Sequence, residues 1–163
     1  MTLERASRIL LFSGVVLLFL VVLVEVGLVP QPWSEDRTEV RIVGDDGTTK
    51  LTVNAEVADT AHERYVGLSD HDSLEDGEGM LFVHAIEAER TYVMRDMDFD
   101  IDILFVGADG EVTTIHHARA PGPGEDGEDL RYTGRAKWVL EVPAGTVEGT
   151  GIEVGDELRI ENG

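Results

Sequence analysis

An apolar run near the amino terminus constrains this chain more than any other feature. Residues 9–29 are apolar apart from Ser13, Gly14, Glu25 and Gly27. A helix of that length, rising about 1.5 Å per residue, would cross the roughly 30 Å hydrocarbon core of a bilayer. We therefore predict four segments: a cytoplasmic head at 1–8, a transmembrane anchor at 9–29, a linker at 30–37 and one acidic domain at 38–163.

A cleaved secretory signal is the alternative to an anchor. Such a signal has an apolar stretch of about 7–15 residues followed by small residues at the cleavage site. Here the run is longer, and residues 26–30 lack that pattern, which favours an anchor. Arg5 and Arg8 precede the run, so the positive-inside rule places the amino terminus in the cytoplasm and the domain outside it.

The composition excludes several classes of protein. The chain has no cysteine, which excludes a lipoprotein anchor, a disulfide-stapled scaffold and thiol chemistry. The formal net charge of −20 argues against nucleic acid as a partner, because phosphates would be repelled. About 130 residues outside the anchor are enough for one domain with its own core.

Two explanations compete for the acidity: a surface that binds cations, or adaptation to concentrated salt. The carboxylates are spread along the whole domain, and Lys50 and Lys137 are the only lysines against eleven arginines. Dispersed acidity with few lysines favours salt adaptation, in which screening removes the repulsion between like charges. We therefore expect the source to be a halophile.

Short apolar runs separated by turn residues predict a mostly β (α+β) fold. The predicted strands are 38–43, 48–57, 79–84, 91–94, 101–106, 111–118, 137–142 and 157–160, with a hairpin turn at 44–47. Thr60 and Glu63 have capping-box spacing, which predicts a brief helix ending at Gly67. We expect a compact, small β-barrel-like domain with one or two short helices.

No motif for a metal, a cofactor or a catalytic group stands out. Asp98, Asp100 and Asp102 begin like a calcium loop, but Ile103 and Asp109 occupy the positions where that loop needs Gly and Glu. His116 and His117 are strand neighbours that point to opposite faces and cannot chelate one ion simply. We therefore predict no metal and no cofactor.

The order of several small motifs is more specific than any one of them. From residue 57 to 83 it runs Val57-Ala58-Asp59-Thr60, Glu63-Arg64, Gly67-Leu68 and Glu78-Gly79-Met80-Leu81-Phe82-Val83. It continues through Val93-Met94-Arg95-Asp96-Met97, Asp100-Ile101-Asp102-Ile103-Leu104-Phe105 and Asp109-Gly110-Glu111-Val112. It finishes with Trp138-Val139-Leu140-Glu141-Val142-Pro143-Ala144-Gly145 and Gly151-Ile152-Glu153-Val154-Gly155-Asp156. Over about 50–160, this order resembles the family called domain of unknown function 192.

The resemblance implies a compact β-barrel-like fold in a protein that is often exported or anchored, and it implies no established activity. The family's central block reads aromatic, aromatic or Trp, then Met-Lys-Asn-Thr. Met94, Arg95 and Asp102 match the family pattern, whereas Val93 replaces the aromatic and Asp96-Met97 replace Asn-Thr.

We expect a non-catalytic ligand-binding or accessory module of the cell envelope. Arg95 and Asp102 are the polar residues expected to line its cleft, with Met80 and Met94 as apolar wall. Arg95 could clamp a carboxylate or phosphate. The alternative for this pair is an internal ion pair that holds the barrel together. The expected partner is a small molecule, a glycan or an envelope protein.

Two other functions stay open on the sequence alone. One is an envelope hydrolase that uses Asp102 and Glu141 as an acid/base pair, which needs both carboxyls about 5–10 Å apart in one pocket. The other is a structural partner of another envelope protein, which would show an exposed apolar patch instead of a cleft.

Overall fold

The structure, a computed structural model, describes residues 36–161. Seven strands form most of this region: β1 Arg37–Val43, β2 Thr49–Ala58, β3 Glu78–Val93, β4 Ile101–Val106, β5 Val112–Ala118, β6 Arg131–Pro143 and β7 Glu157–Glu161. Its two helices are short, α1 Ala61–Val66 and α2 Thr146–Thr150, and 3-10 turns occupy Gly67–Asp70 and Gly127–Asp129. The mostly β fold with few short helices is thus confirmed.

The strands form one curled sheet in the order β5-β4-β6-β3-β2-β1-β7. Neighbours are antiparallel except β2 and β3, which run parallel. The curl brings the two edge strands together where Glu111 and Glu157 form a bridge and Leu158 N–H donates to Gly110 C=O at 2.8 Å. The sheet is therefore a half-barrel whose ends touch at one corner.

Strand alternation divides the buried residues between the two faces of this sheet. The concave face gathers residues from every strand, among them Val40, Val53, Leu104 and Leu140, and α2 covers it through Val147. The convex face of β3, β4 and β6 carries a second cluster. Its members include Met80, Phe82, Met94, Ile103, Phe105 and Val139. The domain therefore has one core inside the half-barrel and another outside it.

The predicted helix start is confirmed at α1. Thr60 accepts a hydrogen bond from Glu63 N–H while the Glu63 carboxylate accepts one from Thr60 N–H, so the capping box is complete. The helix ends at Gly67, whose φ of 53° is a conformation that favours glycine. The helix is thereby fixed at both ends despite its six residues.

Strand β3 differs from the prediction. We expected separate strands at 79–84 and 91–94, but the structure has one strand over Glu78–Val93, with a pairing irregularity between Val83 and Ala88. The charged residues Glu87, Glu89 and Arg90 obscured the strand pattern. Backbone pairing with β6 holds this segment extended, because strand propensity depends on context and pairing with a neighbouring strand can override the low propensity of charged side chains.

The predicted anchor at 9–29 lies outside the described residues. Among residues 36–161, no helix combines the length and the apolar character needed to span a bilayer.

Asp102 lies inside the half-barrel, where it links β4 to α2 and β5. Its carboxylate accepts a hydrogen bond from Val147 N–H at 2.9 Å and contacts His117 Nδ1 at 2.7 Å. Asp102 is fully buried, whereas the His117 side chain is 67% exposed. The carboxylate therefore satisfies a buried N–H of α2 that would otherwise lack a partner.

We predict that Asp102→Ala in the full-length chain lowers the free energy of unfolding by about 2–4 kcal/mol, because it leaves the buried Val147 N–H unsatisfied. Asp100→Ala is the matched control, since Asp100 is exposed and accepts only the N–H of Ala120. It should cost about 1 kcal/mol or less. Urea unfolding measures both values, and equal small losses would contradict the structural role of Asp102.

Candidate functional site

A cleft lies between the α1 region and the second half of β3. Its volume is about 420 Å³. One wall is the continuous stretch from Arg64 to Ser69, and the other is the stretch from Glu89 to Arg95. Phe82, His84, Met97, Ile101 and Glu141 complete the lining. The cleft therefore opens on the convex face of the sheet, next to the outer core.

Glu141 is the buried carboxyl group of this cleft. It pairs with Met80 of β3 and Ile103 of β4, so its side chain shares the convex face with two apolar neighbours. The residue is 6% exposed, and within residues 36–161 its carboxyl makes no hydrogen bond or ion pair. Burial raises the pKa of Glu141 to about 8. The group is therefore mostly protonated at neutral pH and can donate a hydrogen bond.

Tyr92 and His84 add two further neutral polar groups. The Tyr92 hydroxyl contacts His84 Nε2 at 3.0 Å, and the Tyr92 ring packs edge-on against Phe82 and Phe105. Burial, and then the nearby Glu141, raises the pKa of Tyr92. Burial, with Arg90 and Arg64 nearby, lowers the pKa of His84 to about 4. Both groups are uncharged near neutral pH, so their role in the cleft is hydrogen bonding.

Three arginines supply the positive charge of the cleft. Arg95 is already engaged, because it donates to Tyr65 C=O at 2.5 Å, contacts Glu128 at 3.2 Å and stacks over the Tyr65 ring. Arg64 donates to Asp59 C=O and, at 2.9 Å, to Val83 C=O.

Arg90 donates to Ile86 C=O at 2.8 Å, while its buried Nε lacks a partner. In the described part of the chain, neither Arg64 nor Arg90 forms an ion pair with a carboxylate. Two cationic groups are thus available to a ligand at this cleft.

The structure brings some of the predicted site residues together and separates others. Met94 and Arg95 line the cleft, and Met80 lies in the outer core beside Glu141. Asp102 does not join them, because it points to the concave face. The alternative Arg95–Asp102 ion pair is therefore wrong: Arg95 contacts Tyr65 and Glu128, and Asp102 contacts His117 and Val147.

The acid/base pair considered for a hydrolase is also separated by the sheet. Glu141 faces Ile103 across the β4–β6 ladder, so Asp102, the residue before Ile103, points to the opposite face. The carboxyls of Asp102 and Glu141 do not share a pocket. Asp102 and Glu141 therefore do not have the arrangement in one pocket that the acid/base mechanism requires.

Sequence reasoning missed Arg64, His84, Arg90 and Tyr92. Three of the four lie on β3, which the sequence showed as two separate strands, and of these only Arg90 falls in the stretch between the two predicted strands. Reading 84–92 as extended would have placed His84, Arg90 and Tyr92 on one face by their even spacing. Arg64 carried no such signal, because its place at the cleft depends on how α1 packs.

Metal ligation receives no support from the described residues. Across 36–161, no group of three or more His, Asp or Glu side chains is arranged to hold a metal ion. The polar groups at the cleft include three arginines, two phenols, an imidazole, the exposed carboxylate of Glu89 and the buried carboxyl of Glu141, a set that suits hydrogen bonding to an organic ligand.

Two solved structures share this fold. One, from Sinorhizobium meliloti 1021, is described as a putative transcription regulator; it is 26% identical with a TM-score of 0.70, and the match covers 80% of this chain and 98% of that chain. The other, from Novosphingobium aromaticivorans DSM 12444, is described as a protein of unknown function. It is 30% identical with a TM-score of 0.68, covering 80% of this chain and 91% of that chain.

A search of curated proteins found no match to this sequence. The profile of the family DUF192, described as "Uncharacterized ACR", matches residues 42–160. That range includes both walls of the cleft and Glu141 at its base. The resemblance inferred from the motif order is confirmed, and the chain belongs to the DUF192 family.

Proposed function

We propose that this domain is a non-catalytic binding module whose cleft takes an organic ligand with an anionic group. The observation that carries the proposal is the pair Arg64 and Arg90, which line one cleft and form no ion pair within 36–161. In a chain with a formal charge of −20, carboxylates are abundant. Two arginines kept apart from them are available to an anion from outside.

The buried Glu141 is compatible with an anionic ligand. An ionised carboxylate at the base of the cleft would repel such a ligand, but a pKa of about 8 keeps the group mostly neutral at pH 7. A neutral carboxylic acid can instead donate a hydrogen bond to a ligand oxygen. The apolar wall of Phe82, Met94 and Ile101 would contact the uncharged part of the ligand.

A nucleic-acid ligand is disfavoured, although the Sinorhizobium protein is described as a putative transcription regulator. Binding to nucleic acid draws most of its affinity from cationic groups that neutralise phosphates. The net charge of −20 opposes such binding over the surface as a whole. A single cleft with a few arginines suits a small anionic group better than a phosphate backbone.

We predict that a screen of small carboxylates and phosphate monoesters finds ligands that raise the melting temperature of the full-length chain. For any such ligand, Arg90→Gln should weaken binding about tenfold or more, because a charge-assisted hydrogen bond is lost. Arg159→Gln on β7 is the control with the same charge change, and it should bind as the parent does. Calorimetric titration gives the affinities. Equal affinities in all three proteins would refute the assignment of the cleft.

We also predict a pH signature of Glu141. In the folded chain its pKa is about 8 against an ordinary value of 4.5, so between these values the folded state holds a proton that the unfolded state has lost. Its contribution therefore lowers stability by up to about 1.4 kcal/mol per pH unit as the pH rises through that window. Glu141→Gln removes this pH-dependent loss of stability, because glutamine does not ionise.

Urea unfolding of parent and Glu141→Gln at pH 4, 6 and 8 tests this prediction. The variant should gain stability relative to the parent as the pH rises, with little difference at pH 4. A constant difference at all three pH values would show that Glu141 ionises as an ordinary exposed carboxyl does.

We further propose that the module is held at the outer face of the cell membrane of a salt-adapted organism. The support is the apolar run at 9–29, the two arginines before it and the dispersed acidity after it. Protease added to intact cells should digest the domain and leave a small protected fragment. A domain that resists until the membrane is opened would contradict this orientation.

Salt adaptation has its own test. The melting temperature of the full-length chain should rise with KCl concentration, because salt screens the repulsion between carboxylates. A melting temperature that does not rise would contradict salt adaptation.

A further inference from the structure

The second half of β3 has an unpaired edge. Strand β2 pairs with β3 only from Glu78 to Phe82, whereas β6 pairs with it again from Ala88 to Val93. Along Ala88–Val93, therefore, no strand among residues 36–161 pairs with the side of β3 turned away from β6. In an antiparallel pair, alternate residues direct their N–H and C=O groups away from the partner strand. Those groups along 88–93 are available to another chain.

The cleft runs along this edge. Residues 89–95 form one wall in unbroken succession, and 64–69 of α1 and the following turn form the other. A groove between a free strand edge and a helix suits an extended peptide that adds to the sheet as a further strand. The edge from Ala88 to Val93 is roughly 20 Å long at about 3.4 Å per residue, so it offers room for a short peptide.

The available positive charge lies at one end of the groove. Arg64 donates to Val83 C=O and Arg90 to Ile86 C=O, so both lie near the start of the free edge. Arg95, at the other end, is already paired with Glu128. The buried Nε of Arg90 still lacks an acceptor. A carboxylate bound here would therefore lie near the start of the free edge, at the end of the groove opposite Val93.

We propose that the cleft binds the carboxyl-terminal segment of another polypeptide, which adds antiparallel to β3 with its terminal carboxylate between Arg64 and Arg90. The peptide is antiparallel to β3 for a geometric reason. Its last residue lies beside Arg90 and its preceding residues lie along the edge towards Val93, so the peptide runs opposite to β3. This inference rests on the proposed function, since it names the class of anionic ligand. A free strand edge offers a row of backbone hydrogen bonds. A peptide would form them, whereas a small metabolite anion would not.

The test uses three pools of random hexapeptides labelled with fluorescein at the amino end, and fluorescence polarisation with the full-length chain. The first pool has free carboxyl termini, the second has amidated termini, and the third has free termini but N-methylated backbone amides. We expect binding of the first pool, with affinity at least tenfold lower for each of the other two. Amidation removes the charge, and methylation removes the strand hydrogen bonds.

Protein variants separate this inference from the proposal on which it rests. Arg90→Gln should reduce binding of the free-carboxyl pool at least tenfold, with Arg159→Gln as the control that leaves it unchanged. Hydrogen exchange should show alternate amides of 88–93 protected by the first pool.

If small carboxylates bind through Arg90 while methylated and unmethylated peptides bind equally well, the strand-addition inference is overturned and the anion-binding cleft stands. If neither peptides nor small anions depend on Arg90, both are overturned. Equal binding of free and amidated pools would overturn the placement of the terminal carboxylate.

Discussion

Strand β6 is the element on which the rest of the domain depends, because it pairs along both of its edges. From Trp138 to Glu141 it lies between β3 and β4, and from Arg131 to Ala136 it holds the second half of β3. Its alternation places Leu140 in the inner core and Val139 in the outer one. The two cores and one wall of the cleft are therefore positioned by the backbone hydrogen bonds of a single strand.

The same alternation explains why a carboxyl group lies at the base of the cleft. Glu141 occupies a convex-face position between two residues that face the outer core, and it meets solvent only at the base of the cleft. Burial costs an ionised carboxylate much more than a neutral one, so the group keeps its proton. A buried carboxyl group with a raised pKa at the base of a cleft is a pattern typical of functional sites.

The charge distribution separates the cleft from the rest of the surface. Most arginines in the described region are paired with carboxylates, as an excess of acidic residues would lead one to expect. Arg64 and Arg90 instead donate to backbone carbonyls, which orient the guanidinium groups and leave their charge uncompensated. An anion that reaches the cleft therefore meets two guanidinium groups that form no ion pair with a carboxylate.

The sequence by itself determined the family, the mostly β fold, the first hairpin and the capped helix, because these depend on motif order, turn residues and local hydrogen bonds. Met94 and Arg95 at the cleft were also predicted from their place in the motif order. Only the tertiary structure decided that Asp102 and Glu141 lie on opposite faces, since this depends on the register between β4 and β6. It alone placed Arg64 opposite β3, because residues far apart in sequence meet only when long-range packing brings their elements together.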